Sequence, residues 1–215
     1  MKNNITEIVF ILDRSGSMCG LEKDTIGGFN SFIEKQKQEE GEAFVTTVLF
    51  DHEFEYLHNR VNIQNIESMT SKQYYVRGCT ALLDSIGQSI TNMKTIQDAL
   101  PKELKAEKVL FVITTDGYEN ASQHYTYKKV NKLISTQKEK YNWEFLFLGA
   151  NIDAIDEASK LGIHADNAVN YYHDGEGIAS VYKAVDEFTQ NLRSSSPKKH
   201  MNWKESVEKD YKRKR

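Results

Sequence analysis

Oxygen-bearing side chains follow two strongly apolar runs of this 215-residue sequence, at points where a buried strand would end. Asp13, Ser15 and Ser17 follow the first run, and Asp116 follows the second. A carboxylate directly after a buried strand is costly unless something compensates its charge. Carboxylate and hydroxyl oxygens together suit a hard cation such as Mg²⁺, which prefers six oxygen ligands. The sequence therefore predicts a divalent-cation site, and Gly16 permits the tight loop that would turn the alternating side chains toward one point.

Six short segments predict the β-strands that would position these side chains. They span residues 8–12, 43–50, roughly 54–63, 109–113, 145–148 and 168–171. Three of them are nearly pure apolar runs, as expected for strands buried on both faces. Asp51, His52 and Glu53 form a tight turn between the second and third segments, which makes the third strand antiparallel to its neighbour.

Helical periodicity fills the gaps between the strands. Apolar residues recur at helical spacing from 21 to about 40, from 83 to 100 and from 178 to 192. We assign these apolar stripes to the core and give them no ligand role. The alternation predicts an α/β fold with a doubly wound, mostly parallel central sheet, one antiparallel edge strand and helices on both faces. Ligands of such sheets bind where loops leave the carboxyl ends of the strands.

Charge and turn residues divide the chain into two parts. The SSSPKK stretch is the clearest boundary, so we predict one domain over residues 1–194 and a basic C-terminal tail, helical or disordered, over 195–215. From residue 198 to the end, eight Lys and Arg outnumber three acidic residues, so this part carries +5 and the rest −8. The net charge of −3 argues against wholesale nucleic-acid binding. Trp203 and Tyr211 leave open a contact of the tail with nucleic acid or an acidic partner, although a solvated end is favoured.

The compartment is predicted from what the sequence lacks. The first apolar run meets a charged residue too early for a secretory signal, and it is far too short to span a bilayer. Two cysteines do not make a disulfide framework. We therefore expect a cytoplasmic protein with no membrane association.

Three loops of the sequence resemble the metal-ion-dependent adhesion site of von Willebrand factor A domains. The segment DRSGS at 13–17 matches the motif D-x-S-x-S, GCTAL at 78–82 is similar to G-x-T-x-L, and TDG at 115–117 is similar to the third loop. Stretches such as FILDRSGSM, YYVRGCTALLD and FVITTDGYENAS also resemble short stand-alone A-domain proteins of bacteria and phages. The resemblance covers about residues 5 to 192 and leaves the tail unaccounted for.

The resemblance implies a ligand set and a function. Ser15, Ser17 and Thr80 would bind the ion directly, and Asp13 and Asp116 would bind it directly or through water. Mg²⁺ is the expected ion, with Mn²⁺ or Ca²⁺ also admissible. Because only two protein ligands are anionic, a carboxylate from a partner protein can take the open coordination position. The resemblance thus implies a cation-dependent protein-binding module that is not an enzyme.

Two other functions remain as alternatives. One is a scaffold subunit whose metal is purely structural. The other is a Mg²⁺-dependent phosphohydrolase, because a strand ending in aspartate also resembles the haloacid-dehalogenase phosphatases. Position 15 is Ser, however, so the second aspartate that serves as acid and base in those enzymes is absent. The sequence also lacks the G-x-S-x-G elbow of serine hydrolases and the glycine-rich loop that binds nucleotide phosphates.

Residues beside the predicted loops have less specific interpretations. Arg14 could contact a bound carboxylate or point to solvent. Asp51 and its two neighbours in the turn most simply form a solvated turn, or else the rim of a partner surface. Glu119 and Asn120 are expected to cap the next helix, with orientation of Asp116 as the alternative.

The remaining polar candidates are expected to be structural. Asn151 is expected to be the N-cap of a helix that starts at 152, with a partner contact as the alternative. Cys19 and Cys79 flank the predicted metal loops, but lone cysteines of this kind are usually small buried thiols. His124, His164 and His173 share no spacing, so no zinc site is assigned to them.

Overall fold

A computed structural model describes residues 4–194 and 202–214 of the chain. Six strands form one sheet: β1 Ile5–Asp13, β2 Glu42–Phe50, β3 Phe54–Asn62, β4 Lys108–Thr115, β5 Glu144–Gly149 and β6 Ala168–Asn170. Their order across the sheet is β3-β2-β1-β4-β5-β6. The β2–β3 pair is antiparallel and every other pair is parallel. The predicted fold class, with one antiparallel edge strand, is therefore confirmed.

Six α-helices cover the sheet: α1 Glu22–Gln36, α2 Leu82–Ala99, α3 Tyr127–Tyr141, α4 Ala154–Lys160, α5 Gly175–Arg193 and α6 Glu205–Lys214. Short 3-10 turns lie at Gly16–Met18, Ile63–Asn65, Lys102–Leu104 and Ala165–Asn167. The helices predicted after 21, after 83 and around 178–192 correspond to α1, α2 and α5. Sequence analysis assigned no helix to 127–141, where α3 lies. The boundary proposed after 194 falls beside residues 195–201, which lie outside the described residues.

Alternation along β1 divides the core into two layers. Ile8, Phe10 and Leu12 pack with α1 and α5 on one face of the sheet. Val9 and Ile11 pack with α2, α3 and α4 on the other face. Successive side chains of a strand point to opposite faces, so a fully buried strand with both layers must be apolar at nearly every position.

The strand order places β1 and β4 at the point where the winding of the sheet reverses. The chain moves outward from β1 to β2 and β3, and then returns through α2 to β4 on the other side of β1. Crevices at such a reversal, beyond the carboxyl ends of the strands, are the usual ligand sites of open α/β sheets. Asp13 ends β1 there, and Asp116 directly follows β4.

Candidate metal centre

The loops after β1 and β4 and the segment before α2 converge at this edge of the sheet. Ser15 Oγ lies 3.1 Å from Ser17 Oγ, and Ser17 Oγ donates a 2.6 Å hydrogen bond to Asp116 Oδ1. A Cβ atom built on Gly117 would lie 3.6 Å from Thr80 Oγ1 and 3.7 Å from Ser17 Oγ. Side chains from three separate loops thus meet at one place. All of them are buried except Ser17, which is exposed.

Asp13 is held by both of its carboxylate oxygens. Oδ1 accepts a 2.7 Å hydrogen bond from the Ser15 backbone N–H, and Oδ2 accepts one of 2.7 Å from Thr115 Oγ1. Burial, with a smaller contribution from the nearby Asp116, raises the pKa of Asp13 to about 6 against the opposing effect of its hydrogen bonds. The role of Thr115 as a partner of Asp13 was not predicted.

Residues of the β4–α3 loop position Thr80. Asn120 Oδ1 accepts a 2.9 Å hydrogen bond from the Thr80 N–H, and the Asn120 N–H donates one of 3.0 Å to the Thr80 carbonyl. Glu119 Oε2 accepts a hydrogen bond from the Leu83 N–H in the first turn of α2. The prediction that these residues cap the next helix is therefore wrong, because Thr126 caps α3. They instead secure the segment that leads into the preceding helix α2.

A buried ion pair lies beneath the first loop. Arg14 Nε lies 2.9 Å from Asp51 Oδ2, and both side chains are fully buried. Arg77 Nε lies 2.7 Å from the same oxygen. Burial alone would raise the pKa of Asp51, but hydrogen bonds from Arg77 and Arg14 and the Glu53 N–H lower it below its usual value. The expectations that Arg14 points to solvent and that Asp51 lies in a solvated turn are thus wrong, because each side chain compensates the buried charge of the other. A contact of Arg14 with a bound carboxylate stays a prediction.

Asp51, His52 and Glu53 also form a group of possible metal ligands. Their ligand atoms lie within 4.8 Å of one another, and no other such group of His, Cys, Asp or Glu occurs in the described parts of the chain. His52 and Glu53 are exposed. Asp51 already neutralises two guanidinium groups, so this group offers less anionic charge to a cation than its composition indicates.

His173 reaches the centre from the β6–α5 loop. Its Nε2 lies 2.8 Å from Asp116 Oδ2, so Asp116 contacts Ser17 through one oxygen and His173 through the other. No role was predicted for this histidine. No motif marks it, since 57 residues separate it from Asp116.

An open cleft of about 470 Å³ lies beside His173. Its walls include Tyr118, Asn151, Tyr172 and Tyr211. Asn151 has a left-handed backbone, with φ of 55°, and it is not the N-cap that was predicted. Asp153 caps α4 instead, by accepting hydrogen bonds from the N–H groups of 155 and 156.

Two cysteines and two further histidines were also candidates. Cys19 and Cys79 are both free thiols, and both are exposed rather than buried as expected. His124 and His164 belong to no group of ligand atoms in the part of the chain that is described. No helix within that part is both long and apolar enough to cross a membrane.

Several solved structures share this fold. The proximal thread matrix protein 1 of the mussel byssus, solved with a zinc-occupied MIDAS motif, matches with a TM-score of 0.58 and 13% identity over 86% of this chain and 46% of its own. Manganese-loaded TRAP protein of Plasmodium vivax matches with a TM-score of 0.59 and 16% identity, over 85% of this chain and 74% of its own. The vWF domain of the type V pili tip protein Mfa5 of Porphyromonas gingivalis matches with a TM-score of 0.60 and 11% identity, over 90% of this chain and 97% of its own.

These matches establish the fold and little beyond it, because the sequence identities are low. The chain spans less than half the length of the mussel protein. No family model matches the sequence, and no curated protein sequence matches it either.

Proposed function

Starting from the von Willebrand factor A fold that this chain shares with those structures, we propose that it is a divalent-cation-dependent protein-binding module. Asp13, Ser15, Ser17, Thr80 and Asp116 hold the cation, either directly or through water. Mg²⁺ suits these oxygen donors, and Mn²⁺ or Ca²⁺ is admissible. An acidic residue of a partner protein completes the coordination.

Uncompensated negative charge is the observation that carries this proposal. Asp13 and Asp116 are both buried and close enough for one to raise the pKa of the other. In the described chain neither forms an ion pair with Lys or Arg, whereas the buried Asp51 has two such partners. Two adjacent buried carboxylates with no Lys or Arg partner, and with only the imidazole of His173 beside one of them, are costly unless a cation neutralises them.

The spacing of the donor atoms fits the same ion. Six ligands at about 2.0–2.1 Å from Mg²⁺ in octahedral geometry lie about 2.9 Å from their neighbours. The oxygen atoms of Ser15 and Ser17 are 3.1 Å apart, and those of Ser17 and Asp116 are 2.6 Å apart. The first separation is close to that of adjacent ligands on a small hard cation, and the shorter second one is that of the hydrogen bond that Ser17 donates to Asp116.

Each residue contributes to partner binding in a definable way. The serine and threonine hydroxyls are neutral, so they bind the ion without cancelling its charge. Asp13 fixes the loop through its hydrogen bond from the Ser15 N–H. A bound cation supplies positive charge that attracts a carboxylate oxygen, and burial of the surrounding side chains strengthens that attraction. No step in this scheme requires a catalytic acid or base, so we propose a binding role rather than an enzymatic one.

Calorimetry and a binding assay with matched variants test the proposal. We expect wild-type protein to bind one Mg²⁺ or Mn²⁺ ion per chain, and Ser15→Ala to weaken that binding at least about tenfold. Ser31 is an exposed serine on α1, so Ser31→Ala should bind the ion as wild type does. Immobilised glutamate-containing peptides should retain the wild-type protein in Mg²⁺ but not in chelator, and glutamine versions should not retain it.

The possible negative results distinguish the proposed function from its two alternatives. Absence of any divalent-ion uptake contradicts the proposal entirely. An ion that raises the unfolding temperature but leaves peptide retention and capture of native partners unchanged supports the structural-metal alternative. Hydrolysis of phosphate esters that disappears in Asp13→Ala would instead support the phosphohydrolase.

A further inference from the structure

The loop that carries His173 is fixed on both sides of the histidine. Before it, the Tyr171 N–H donates a 3.0 Å hydrogen bond to the Gly149 carbonyl at the end of β5. After it, Asp174 caps α5 by accepting a 2.7 Å hydrogen bond from the Gly177 N–H. Lys214 of α6 lies 2.7 Å from Asp174 Oδ2. His173 is therefore a positioned side chain rather than one that swings freely.

His173 extends a continuous series of donor atoms. The series runs from Ser15 Oγ to Ser17 Oγ, to the two oxygens of Asp116 and then to His173 Nε2, with separations between residues of 3.1, 2.6 and 2.8 Å. The last separation, from Asp116 Oδ2, is close to the edge of about 2.9 Å that adjacent ligands of an octahedral ion make, whereas Ser17 hydrogen-bonds to the other oxygen, Oδ1. The His173 side chain is 23% exposed, so it is neither a solvated surface histidine nor a sealed core residue.

We infer that His173 is a nitrogen ligand of the ion in the proposed metal centre and that it shifts the ion preference from Mg²⁺ toward Zn²⁺. This inference rests on the proposed function. Oxygen donors favour hard ions such as Mg²⁺, whereas imidazole nitrogen favours Zn²⁺ and the later transition metals. One imidazole ligand in an otherwise oxygen-based site therefore changes which metal ion the site prefers.

The count of ligands is consistent with this role. With Asp116 binding the ion through Oδ2 alone, the five residues supply five donors, which leaves one octahedral position for a partner carboxylate; they are Ser15, Ser17, Thr80, Asp116 and His173. Asp13 then need not bind the ion directly, because its oxygens already accept hydrogen bonds from Ser15 and Thr115. The competing interpretation is that His173 only donates a hydrogen bond to Asp116 and never touches the ion.

Spectroscopy of the full chain separates these two roles. Protein with ¹⁵N-labelled histidine is loaded with Mn²⁺, which the oxygen donors accept, and electron spin-echo modulation detects nitrogen bound to the ion. We expect a ¹⁵N coupling in wild-type protein and in His124→Gln, an exposed-histidine control. The coupling should be lost in His173→Gln, whose amide still offers a hydrogen bond to Asp116. Because His52 belongs to another group of possible ligands, His173 is identified only if the coupling is lost in His173→Gln and retained in His52→Gln.

Calorimetry provides the second readout. In His173→Gln we expect the ratio of Zn²⁺ to Mg²⁺ affinity to fall about tenfold or more, mainly through weaker Zn²⁺ binding. His124→Gln should keep the wild-type ratio. If ions bind but no nitrogen coupling appears and the ratio is unchanged, His173 is not a ligand and the proposed binding function survives. If no ion binds to any of the proteins, the proposed function fails first.

Discussion

Glu7 is a buried carboxylate near the amino end of β1, and Asp13 lies at the opposite end of the same strand. Its Oε1 accepts hydrogen bonds from Arg60 Nε at 2.8 Å and Gln97 Nε2 at 3.1 Å. Its Oε2 is buried with no hydrogen-bond partner among the described residues. Burial raises the pKa of Glu7 to about 7, although Arg60 and Gln97 oppose the shift.

This raised pKa predicts a pH dependence of stability. Between pH 4.5 and about 7 the folded protein holds a proton on Glu7 that the unfolded chain has already lost, so the contribution of this group to stability decreases as the pH rises through that range. The shift corresponds to about 3 kcal/mol. Glu7→Gln removes the titrating group, so we expect its free energy of unfolding, relative to wild type, to rise by about this amount from pH 4.5 to pH 8.

Urea unfolding at several pH values, in chelator, measures this difference. Titration of Asp13 affects both proteins equally and cancels in the comparison. Glu53→Gln, which replaces an exposed carboxylate, should follow the wild-type profile. Parallel profiles for wild type and Glu7→Gln would mean that Arg60 keeps Glu7 ionised at all these pH values.

The sequence revealed single residues only where a motif or an apolar boundary marked them. Asp13 and Asp116 follow apolar runs, and the structure brings them together with the motif-matched hydroxyls of Ser15, Ser17 and Thr80, although their role as ligands stays a prediction. His173 was missed because its contact with Asp116 depends on how the β6–α5 loop is placed. Long-range charge compensation, such as that of Arg14 by Asp51, leaves no local pattern.

At the scale of elements, the first turn of α2 and the β4–α3 loop stabilise each other. Asp84 in α2 accepts hydrogen bonds from the N–H groups of Gln123, His124 and Tyr125. In return, Glu119 accepts one from Leu83 in α2, and Asn120 accepts one from Thr80 just before the helix. The two segments that carry Thr80 and Asp116 are therefore connected by several hydrogen bonds. This connection lets two loops distant in sequence present donors to one ion.

Asn120→Ala tests whether this connection matters for the metal. The variant loses the side-chain hydrogen bond to the Thr80 N–H but keeps the backbone bond to the Thr80 carbonyl. We expect Mg²⁺ or Mn²⁺ affinity to fall about tenfold, since residues that orient ligands commonly contribute that much. The free energy of unfolding should fall by only about 1 kcal/mol.

Asn131→Ala is the control for calorimetry, because the Asn131 side chain also joins two segments: it donates a 3.0 Å hydrogen bond to the Lys160 carbonyl and accepts one of 3.4 Å from Ser135, and neither partner belongs to the proposed centre. Equal ion affinity in wild type, Asn120→Ala and Asn131→Ala would show that the Thr80 loop needs no external support.

Strands were predicted more successfully than helices for a physical reason. Strands buried on both faces are continuous apolar runs, which stand out in a polar sequence. Helix α3 buries only Val130, Ile134 and Gln137, so its apolar stripe is narrow and its many lysines obscure the period. A helix needs only one apolar face, and the shorter that face, the weaker the signal.

At the scale of the whole molecule, α6 joins the C-terminal part of the described chain to the domain. Val207 is buried, and the helix packs against α5 and the edge strand β6. Trp203, just before it, is 4% exposed, contacts the ring of Phe188 edge-on and donates a 2.9 Å hydrogen bond to the Asp166 carbonyl. The basic composition of this region predicted a solvated end as the favoured interpretation. The buried Trp203 instead packs the segment against the domain, although its lysines are charged.

Trp203→Ala tests whether α6 unfolds together with the sheet. Removing a buried tryptophan from a packed core costs about 3–5 kcal/mol, so we expect a loss of that order in the free energy of unfolding if docking of α6 is cooperative with the domain. Lys209→Ala, which removes only an exposed ion pair with Glu205, should change the free energy of unfolding by less than about 0.5 kcal/mol.

Because Tyr211 and Lys214 contact Tyr172 and Asp174 beside His173, release of α6 would also loosen the β6–α5 loop. Unchanged urea unfolding in Trp203→Ala, together with rapid proteolysis of the tail, would mean that the domain is complete without α6.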